Sequence, residues 1–205
     1  LKPNALVDDY LKLFSEANQY DFCSVCIPAS FIELAKTKVQ SSVKICTVVG
    51  FPLGYNGVKV QEARNAIEKG AHEIDMVINI SMLKSKNIEF VRNEIQAIAS
   101  IDENVVTKVI IETDYLDEDE KITMCQILNE TDALFIKTST GFAKSGAQLD
   151  DIKIFKKHLN NNKKIKASGG IRDASTFVDF INAGSDRIGL SAGVKVMSEL
   201  KSSNI

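Results

Sequence analysis

The stretch ALFIKTSTGF, residues 133–142, contains a short apolar run that ends in a lysine and continues into a loop of Ser, Thr and Gly. Apolar runs of this length, bounded by turn residues, are typical of β-strands. Similar runs recur along the chain, and each is followed by an amphipathic segment with the helical period. The predicted strands are 22–27, 43–49, 73–79, 105–112, 133–138, 163–168 and 186–191.

The segments between these strands carry start and stop signals for helices. Pro3 is expected to open the first helix, and Asp117 and Asp173 lie where N-caps belong. Gly70 and Gly184 fall just past helix ends. Strict alternation of strands and helices predicts a parallel sheet covered by helices. The predicted helices are 3–20, 29–40, 56–69, 86–100, 117–130, 147–160, 173–182 and 192–201.

Every second position of most predicted strands is polar. In an open sheet covered on both faces, both sets of positions in a central strand should be apolar. A (β/α)8 TIM barrel explains the split, because its outside meets helices while its upper interior holds an active site. The alternative, a doubly wound open sheet, lacks its G-x-G-x-x-G signal. The polar positions are Glu73, Asp75, Asn79, Lys108, Glu112, Lys137, Ser139, Lys164, Lys166, Ser168, Arg187 and Ser191.

Length and charge narrow the function classes. The 205 residues suit one domain, 1–205, and 25 basic against 27 acidic residues give a net charge of −2. Such a balance offers no basic stripe for nucleic acid. Since no apolar run approaches the ~20 residues of a membrane helix and no signal peptide is evident, we expect a cytoplasmic protein. An α/β barrel needs eight strands, so we expect its first strand to precede Leu1.

Four cysteines are present, and Cys23 and Cys26 form a C-x-x-C pair. Such a pair can indicate a redox centre or half of a zinc site. However, positions three apart on a strand point to opposite faces, and no second metal-binding motif follows. The sequence therefore favours buried, reduced thiols and predicts no metal site.

Lys137 and Lys166 occupy matching places at the ends of two successive predicted strands. Parallel neighbours lie about 5 Å apart, so two inward ammonium groups should repel each other. Burial and repulsion should lower the pKa of one lysine and leave a neutral amine able to form a Schiff base. The alternative is structural, with both charges satisfied by Glu112 and Asp75.

Asp75 is an acid within an apolar strand, EIDMVIN. It could orient Lys166 and move protons, or it could be only the counter-ion that makes two buried lysines tolerable. The two roles are compatible. Lys108 and Glu112, on the intervening strand, are interpreted as a supporting pair.

Glycine-rich loops follow the last predicted strands, where barrels commonly bind phosphate. Thr140 follows Lys137 and could add a hydroxyl, and the GFPLG loop at 50–54 could cover the substrate or form only a turn. Any one of these loops is a weak signal, but their positions at consecutive strand ends favour a phosphate site. The candidate phosphate-binding residues are Gly141, Gly169, Gly170, Gly189 and Ser191.

With these motifs in order, the sequence resembles the class I deoxyribose-phosphate aldolases over essentially its whole length. The resemblance implies that Lys137 forms the Schiff base, that Lys166 perturbs it and that Asp75 takes part in proton transfer. Cys26 belongs to one of the matching motifs. These are Val25-Cys26, GFPLG (50–54), EIDMVIN (73–79), KVIIET (108–113), IKTSTGF (136–142), KASGGIR (166–172) and RIGLSAG (187–193).

The resemblance also implies a reaction. It is the reversible cleavage of 2-deoxy-D-ribose 5-phosphate into acetaldehyde and D-glyceraldehyde 3-phosphate, with no metal or organic cofactor. The partners would be phosphosugar and aldehyde substrates, and barrel aldolases of this kind often form a homodimer. The alternatives are another Schiff-base barrel enzyme, such as a transaldolase-like aldolase, and a phosphosugar-binding barrel without catalysis.

Overall fold

A computed structural model describes residues 1–55 and 57–202, and within these ranges one parallel sheet forms the inner layer of the molecule. Its seven strands lie in chain order and correspond to the seven predicted strands, with ends displaced by at most two residues. The strands are β1 Ser24–Ile27, β2 Lys44–Val49, β3 Glu73–Val77, β4 Val106–Ile110, β5 Phe135–Lys137, β6 Lys164–Ser168 and β7 Arg187–Gly189.

The helices alternate with the strands as predicted, with one addition. The short helix α4 was not predicted, because its five residues lie in a connection that carries no sustained helical period. Residue 56, where one predicted helix starts, lies outside the described residues, as do 203–205. The helices are α1 Val7–Tyr20, α2 Ile32–Lys38, α3 Lys59–Lys69, α4 Ile80–Lys84, α5 Ile88–Ala99, α6 Glu118–Asn129, α7 Leu149–His158, α8 Ala174–Ala183 and α9 Gly193–Ser202.

Most of the predicted helix signals are confirmed. The Asp117 carboxylate accepts from the backbone N–H of Glu120 at 2.9 Å, and Asp173 caps α8 in the same way. Gly70 and Gly184 end their helices in the left-handed conformation. The expectation for Pro3 is wrong. α1 begins at Val7, because the Asp9 carboxylate accepts from the backbone N–H of Leu6 and fixes the start there.

The sheet curls strongly, and this decides between the barrel and the open sheet. The Arg187 guanidinium on β7 lies 2.7 Å from a Glu73 carboxylate oxygen on β3. In a flat sheet, strands four places apart would be separated by about 19 Å, since each spacing is about 4.8 Å. The contact therefore requires the inner face to close on itself, as in a barrel. The described residues supply seven strands of such a barrel, and the expected first strand stays a prediction.

The apolar core lies between the sheet and its helices. Four of its fully buried residues are Ile74, Met76, Val109 and Ile136. In each strand these apolar residues alternate with the polar ones. The predicted split is thus confirmed, with apolar side chains outward under the helices and charged side chains inward. In the described ranges, no helix has the length and apolarity needed to cross a membrane.

Gly54, in the loop after β2, packs closely against the backbone of Ile78, just after β3. Its φ is +76°, and a Cβ placed there would lie 1.9 Å from the backbone oxygen of Ile78. We expect Gly54→Ala to lower the free energy of unfolding by about 2–5 kcal/mol, from left-handed strain and overpacking together. Urea unfolding monitored by circular dichroism would measure this loss.

Gly57→Ala is the matched control for this loop, because a Cβ at Gly57 meets nothing within 4 Å. We expect it to change the unfolding free energy by less than about 0.5 kcal/mol. Equal stability of the two variants would contradict the packing described for Gly54.

Candidate active site

One buried carboxylate gathers three lysines on the inner face of the sheet. Asp75 Oδ2 accepts from Lys137 Nζ at 2.7 Å and from Lys166 Nζ at 2.8 Å, while Asp75 Oδ1 accepts from Lys108 Nζ at 2.9 Å. Asp75 and Lys108 have no exposed surface, and Lys137 and Lys166 are buried to within a few per cent. The structure therefore brings the three predicted catalytic residues into direct contact.

Strand register explains this convergence. Lys137 is the Cα partner of Lys166 across β5 and β6, and Asp75 is the partner of Lys108 across β3 and β4. Because paired residues of neighbouring parallel strands point the same way, all four side chains enter the interior together. The curl of the sheet then closes the remaining distance between Asp75 and the two lysines of β5 and β6.

A second buried carboxylate, Glu73, extends the cluster. Its Oε2 lies 2.7 Å from Lys108 Nζ, and its carboxylate accepts two hydrogen bonds from Arg187 Nη1. Lys108 is thus held between Glu73 and Asp75. With all groups ionised, the four cations and two carboxylates of the cluster leave a net charge of 4 − 2 = +2.

The predicted pairing of Lys108 with Glu112 is wrong. Glu112 follows the end of β4 with a φ of +52°, and its hydrogen-bond partner lies in the loop after β5. Its carboxylate accepts from the backbone N–H of Thr140 at 3.2 Å and also from the Thr140 hydroxyl. Glu112 and Thr140 thus tie the loop after β5 to the end of β4, and burial raises the pKa of Glu112.

The pKa of Lys137 shifts in the direction opposite to the one predicted from the sequence. Burial alone would raise the pKa of Asp75, but the charges of Lys137, Lys166 and Lys108 hold it well below its usual value. Burial alone would lower the pKa of Lys137, yet the attraction of Asp75 outweighs burial and leaves this pKa raised. The expected depression of the Lys137 pKa is wrong for this arrangement, because the Asp75 carboxylate contacts the ammonium directly and favours its charged form.

The candidate phosphate loops lie together at the ends of β5, β6 and β7. Gly169 and Gly170 have φ values of +90° and +80°, and a Cβ on Gly169 would lie 3.0 Å from the Cα of Gly146 and 3.6 Å from that of Gly141. A Cβ on Gly189 would lie 3.0 Å from the Lys166 side chain. Glycine is therefore required for these backbones to approach one another.

Hydroxyl groups fix these loops from below. Thr138 Oγ1 donates to the backbone oxygen of Ser168 at 3.0 Å, and the Ser168 hydroxyl donates to the backbone oxygen of Ser139 at 2.6 Å. Ser191 is exposed just before α9, which begins at Gly193. The backbone N–H groups of a glycine-rich turn and of a helix start suit an anion.

Two aromatic rings lie at the rim of the same end of the sheet. Phe51, in the loop after β2, and Phe142, in the loop after β5, make an edge-to-face contact with ring centroids 5.3 Å apart. The GFPLG loop therefore lies at the same end of the barrel as Lys137. Asn79, one of the predicted polar positions, does not join the cluster, because its side chain caps α4 by accepting from the Met82 N–H.

The thiols are arranged differently from the prediction. Cys23 is exposed, whereas Cys26 is partly buried and faces the cluster from β1. Its neighbour there is Cys46 of β2, which is fully buried and donates to Asp75 Oδ1 at 3.2 Å. The sequence assigned no role to Cys46. Its position next to the outward-facing Ile45 did indicate that its side chain points to the inner face of the sheet.

Comparison with known proteins agrees with this geometry. Residues 4–199 match the sequence model of a family described as DeoC/LacD family aldolase. A deoxyribose-phosphate aldolase of Clostridium botulinum (strain Eklund 17B / Type B) is 49% identical over 96% of this chain and 90% of the relative.

Two solved structures share the fold of this chain. QR15, an aldolase, superposes with a TM-score of 0.94 at 39% identity, covering 99% of this chain and 92% of the other. The deoxyribose phosphate aldolase of Aeropyrum pernix, described as a tetramer, gives 0.88 at 31% identity, covering 98% of this chain and 87% of the other. The chain therefore belongs to the DeoC/LacD family of aldolases.

Proposed function

We propose that this protein is a class I aldolase that reversibly cleaves 2-deoxy-D-ribose 5-phosphate into acetaldehyde and D-glyceraldehyde 3-phosphate. The observation that carries the proposal is the pair of buried ammonium groups, Lys137 and Lys166, on one oxygen of Asp75. The substrate is supported by the relatives named deoxyribose-phosphate aldolase, which match nearly the whole chain.

Lys137 is the proposed nucleophile. Lys108 is unsuitable, because two carboxylates hold its ammonium and it has no exposed surface. Lys137 has one carboxylate partner, and it leads directly into the loop that carries Gly141. The match of IKTSTGF to the family motif supports Lys137 over Lys166.

The first step needs the neutral amine, but the raised pKa of Lys137 keeps the amine charged in the resting protein. Loss of the proton is therefore part of the reaction. Asp75 Oδ2, 2.7 Å from Lys137 Nζ, is the atom placed to relay that proton, and Lys166 shares the same oxygen. We assign to Asp75 both of the roles that the sequence left open, proton transfer and charge balance.

Lys137 Nζ then attacks the aldehyde carbon to form a carbinolamine, and loss of water gives an iminium. As Asp75 takes the proton of the substrate hydroxyl that becomes the new aldehyde, the carbon–carbon bond breaks and the iminium accepts its electron pair, which leaves an enamine and releases glyceraldehyde 3-phosphate. Protonation of the enamine and hydrolysis release acetaldehyde and restore the amine. Because the iminium itself is the electron sink, the proposed reaction draws on no metal or organic cofactor.

The phosphate is proposed to bind at the loops after β5, β6 and β7, through Gly141, Gly169, Gly170, Gly189 and Ser191. The surplus positive charge of the lysine cluster favours an anionic substrate at this end of the barrel. A grip on the remote phosphate orients the reacting carbon toward Lys137 and lowers the entropy lost in the attack.

Self-association is part of the proposal, with a homodimer as its simplest form. Leu6, Val7 and Leu11 are three exposed apolar side chains near the start of α1. An exposed apolar patch can mark a surface that contacts another protein chain. The tetramer described for the Aeropyrum pernix relative supports an assembly without fixing its size. We also propose a cytoplasmic location, in keeping with phosphosugar substrates.

Replacing the proposed nucleophile should abolish turnover. We expect Lys137→Leu to reduce cleavage of deoxyribose 5-phosphate at least about 1,000-fold, because the covalent route is lost. Coupled detection of glyceraldehyde 3-phosphate would measure the rate. Borohydride trapping with the same substrate should add mass to a peptide containing Lys137 in the wild type and to none in the variant.

Lys153→Leu is the control for this experiment, since Lys153 is exposed on the outer helix α7. It should retain wild-type activity and trapping. Wild-type activity in Lys137→Leu would overturn the assignment of the nucleophile, whereas trapping of Lys137 by acetaldehyde but not by deoxyribose 5-phosphate would favour another Schiff-base aldolase.

Removing the second lysine should change the pH dependence of imine formation. In Lys166→Met, Asp75 Oδ2 would serve Lys137 alone and the repulsion between the two ammonium groups would be lost. Both effects raise the pKa of Lys137 further, so the neutral amine would appear at higher pH. We expect the midpoint of borohydride trapping against pH to rise by about one unit, which is about tenfold slower trapping near neutrality.

Lys164→Met is the control for this experiment. Lys164 lies on the same strand, two residues before Lys166, but its side chain is exposed and outside the cluster. Its trapping profile should coincide with that of the wild type. A downward shift in Lys166→Met would show that Lys166 raises rather than restrains the pKa of Lys137.

A further inference from the structure

Two cysteines line the inner wall beside the lysine cluster, and the proposed aldolase chemistry uses neither of them. Cys26 on β1 and Cys46 on β2 are direct Cα partners across the two parallel strands. Their Sγ atoms and an Asp75 carboxylate oxygen all lie within 4.8 Å of one another. The nearest cation to Cys46 Sγ is Lys108 Nζ, at 3.6 Å.

The two thiols are unequal. The neighbouring Cys46 thiol lowers the pKa of Cys26, burial and Asp75 raise it, and Lys137 and Lys166 lower it further, to about 7. Burial and the neighbouring Cys26 raise the pKa of Cys46 well above its usual value. Near neutral pH, Cys26 is therefore partly a thiolate, whereas Cys46 stays a thiol. Cys26 is partly exposed and Cys46 is fully buried.

The same three groups, Cys26, Cys46 and Asp75, have the donor types of a soft-metal site. The local charge opposes that use, however. Both oxygens of Asp75 already accept from ammonium groups. A divalent cation bound to Asp75 would be repelled by the three lysine ammonium groups around it. A surplus of positive charge stabilises a thiolate instead, so the surroundings favour thiol chemistry.

We propose that Cys26 and Cys46 form a reactive dithiol, which hydroperoxides convert into a disulfide joining β1 to β2 at the wall of the candidate active site. The inference is independent of the substrate of the aldolase reaction. The proposed pair is also not the C-x-x-C pair, because the partner of Cys26 is on the neighbouring strand.

The chemistry balances in two steps. The Cys26 thiolate attacks the terminal oxygen of the hydroperoxide, so that an S–O bond forms and the O–O bond breaks, giving a sulfenic acid on Cys26. The leaving group is hydroxide from hydrogen peroxide and alkoxide from an organic hydroperoxide. The Cys46 sulfur then attacks the Cys26 sulfur as its proton passes to the departing hydroxide, so that the S–S bond forms and water leaves. Overall, two thiols are oxidised while one hydroperoxide is reduced.

Backbone geometry permits the bond. Neighbouring strands lie about 4.8 Å apart, and the Cα atoms of disulfide-bonded cysteines are about 4.4–6.8 Å apart. The two paired backbones therefore lie at a separation that a disulfide spans, and the Sγ atoms already lie within 4.8 Å of each other. Since Cys46 would then lose the proton it donates to Asp75, we expect the oxidised protein to lose aldolase activity and a thiol reductant to restore it.

The test uses the full chain in a Cys23→Ser background, which removes the exposed neighbour and makes peptide mapping unambiguous. The protein is treated with dilute hydrogen peroxide, the remaining thiols are alkylated and the peptides are mapped by mass spectrometry before and after dithiothreitol. We expect a disulfide between Cys26 and Cys46 within one chain, with Cys125 still alkylated. Dithiothreitol should return the thiols.

Cys46→Ser is the matched variant, because serine can still donate to Asp75. Without a resolving thiol, Cys26 should be trapped as a sulfenic acid by dimedone, and longer exposure should carry it to sulfinic acid that dithiothreitol does not reverse. Circular dichroism would verify folding, with Cys46→Ala as a second variant. Cys125→Ser, in the outer helix α6, should oxidise like the parent protein.

Oxidation of Cys26 no faster than that of Cys125 would overturn the proposal. So would a disulfide between Cys23 and Cys26 in the unaltered protein, a bond between two chains, or the absence of a Cys26–Cys46 bond when Cys26 does form a sulfenic acid. The peptide masses are measured without substrate. A negative result for the disulfide is therefore distinguishable from failure of the aldolase assignment.

Discussion

The interior of this barrel depends on the ion pairs of Asp75. A carboxylate with no exposed surface cannot remain charged unless its lost hydration is replaced, and here three ammonium groups supply that replacement. Those groups come from β4, β5 and β6 while Asp75 comes from β3. The same contacts that satisfy the charge therefore fix the relative positions of four strands.

Glu73 repeats this arrangement one layer away and extends it to β7 through Arg187. Lys108 joins the two layers, since its ammonium contacts both carboxylates. Lys108 thus holds the two carboxylates together, whereas Lys137 and Lys166 share a single oxygen of Asp75. This difference separates a lysine that is fully committed to structure from two that can exchange a proton and a partner during a reaction.

Local sequence patterns predicted much of the fold. Seven strands follow from short apolar runs, and the inward set follows from alternation, because both patterns depend on burial along one strand. Pro3 and the short α4 show the limit, since a turn and a five-residue helix leave little periodic signal.

Within the site, the inward placement of Lys137, Lys166 and Asp75 was predictable from the alternation of polar and apolar residues along their strands. The sign of the Lys137 pKa shift was not, because it depends on a 2.7 Å contact between strands that are not neighbours. The partners of Lys108 and of Cys26 were missed for a similar reason. Spacing along the chain indicates which face a side chain occupies, but strand register decides which side chain it meets.

The central claim is that Asp75 keeps the Lys137 amine charged in the resting protein. NMR titration of the lysine side chains in wild type and Asp75→Asn, with Lys137 assigned by substitution, tests it most directly. The account predicts a Lys137 pKa above that of an ordinary lysine in the wild type and a clear decrease in Asp75→Asn. A wild-type pKa well below the ordinary value, or no change in the variant, would contradict it.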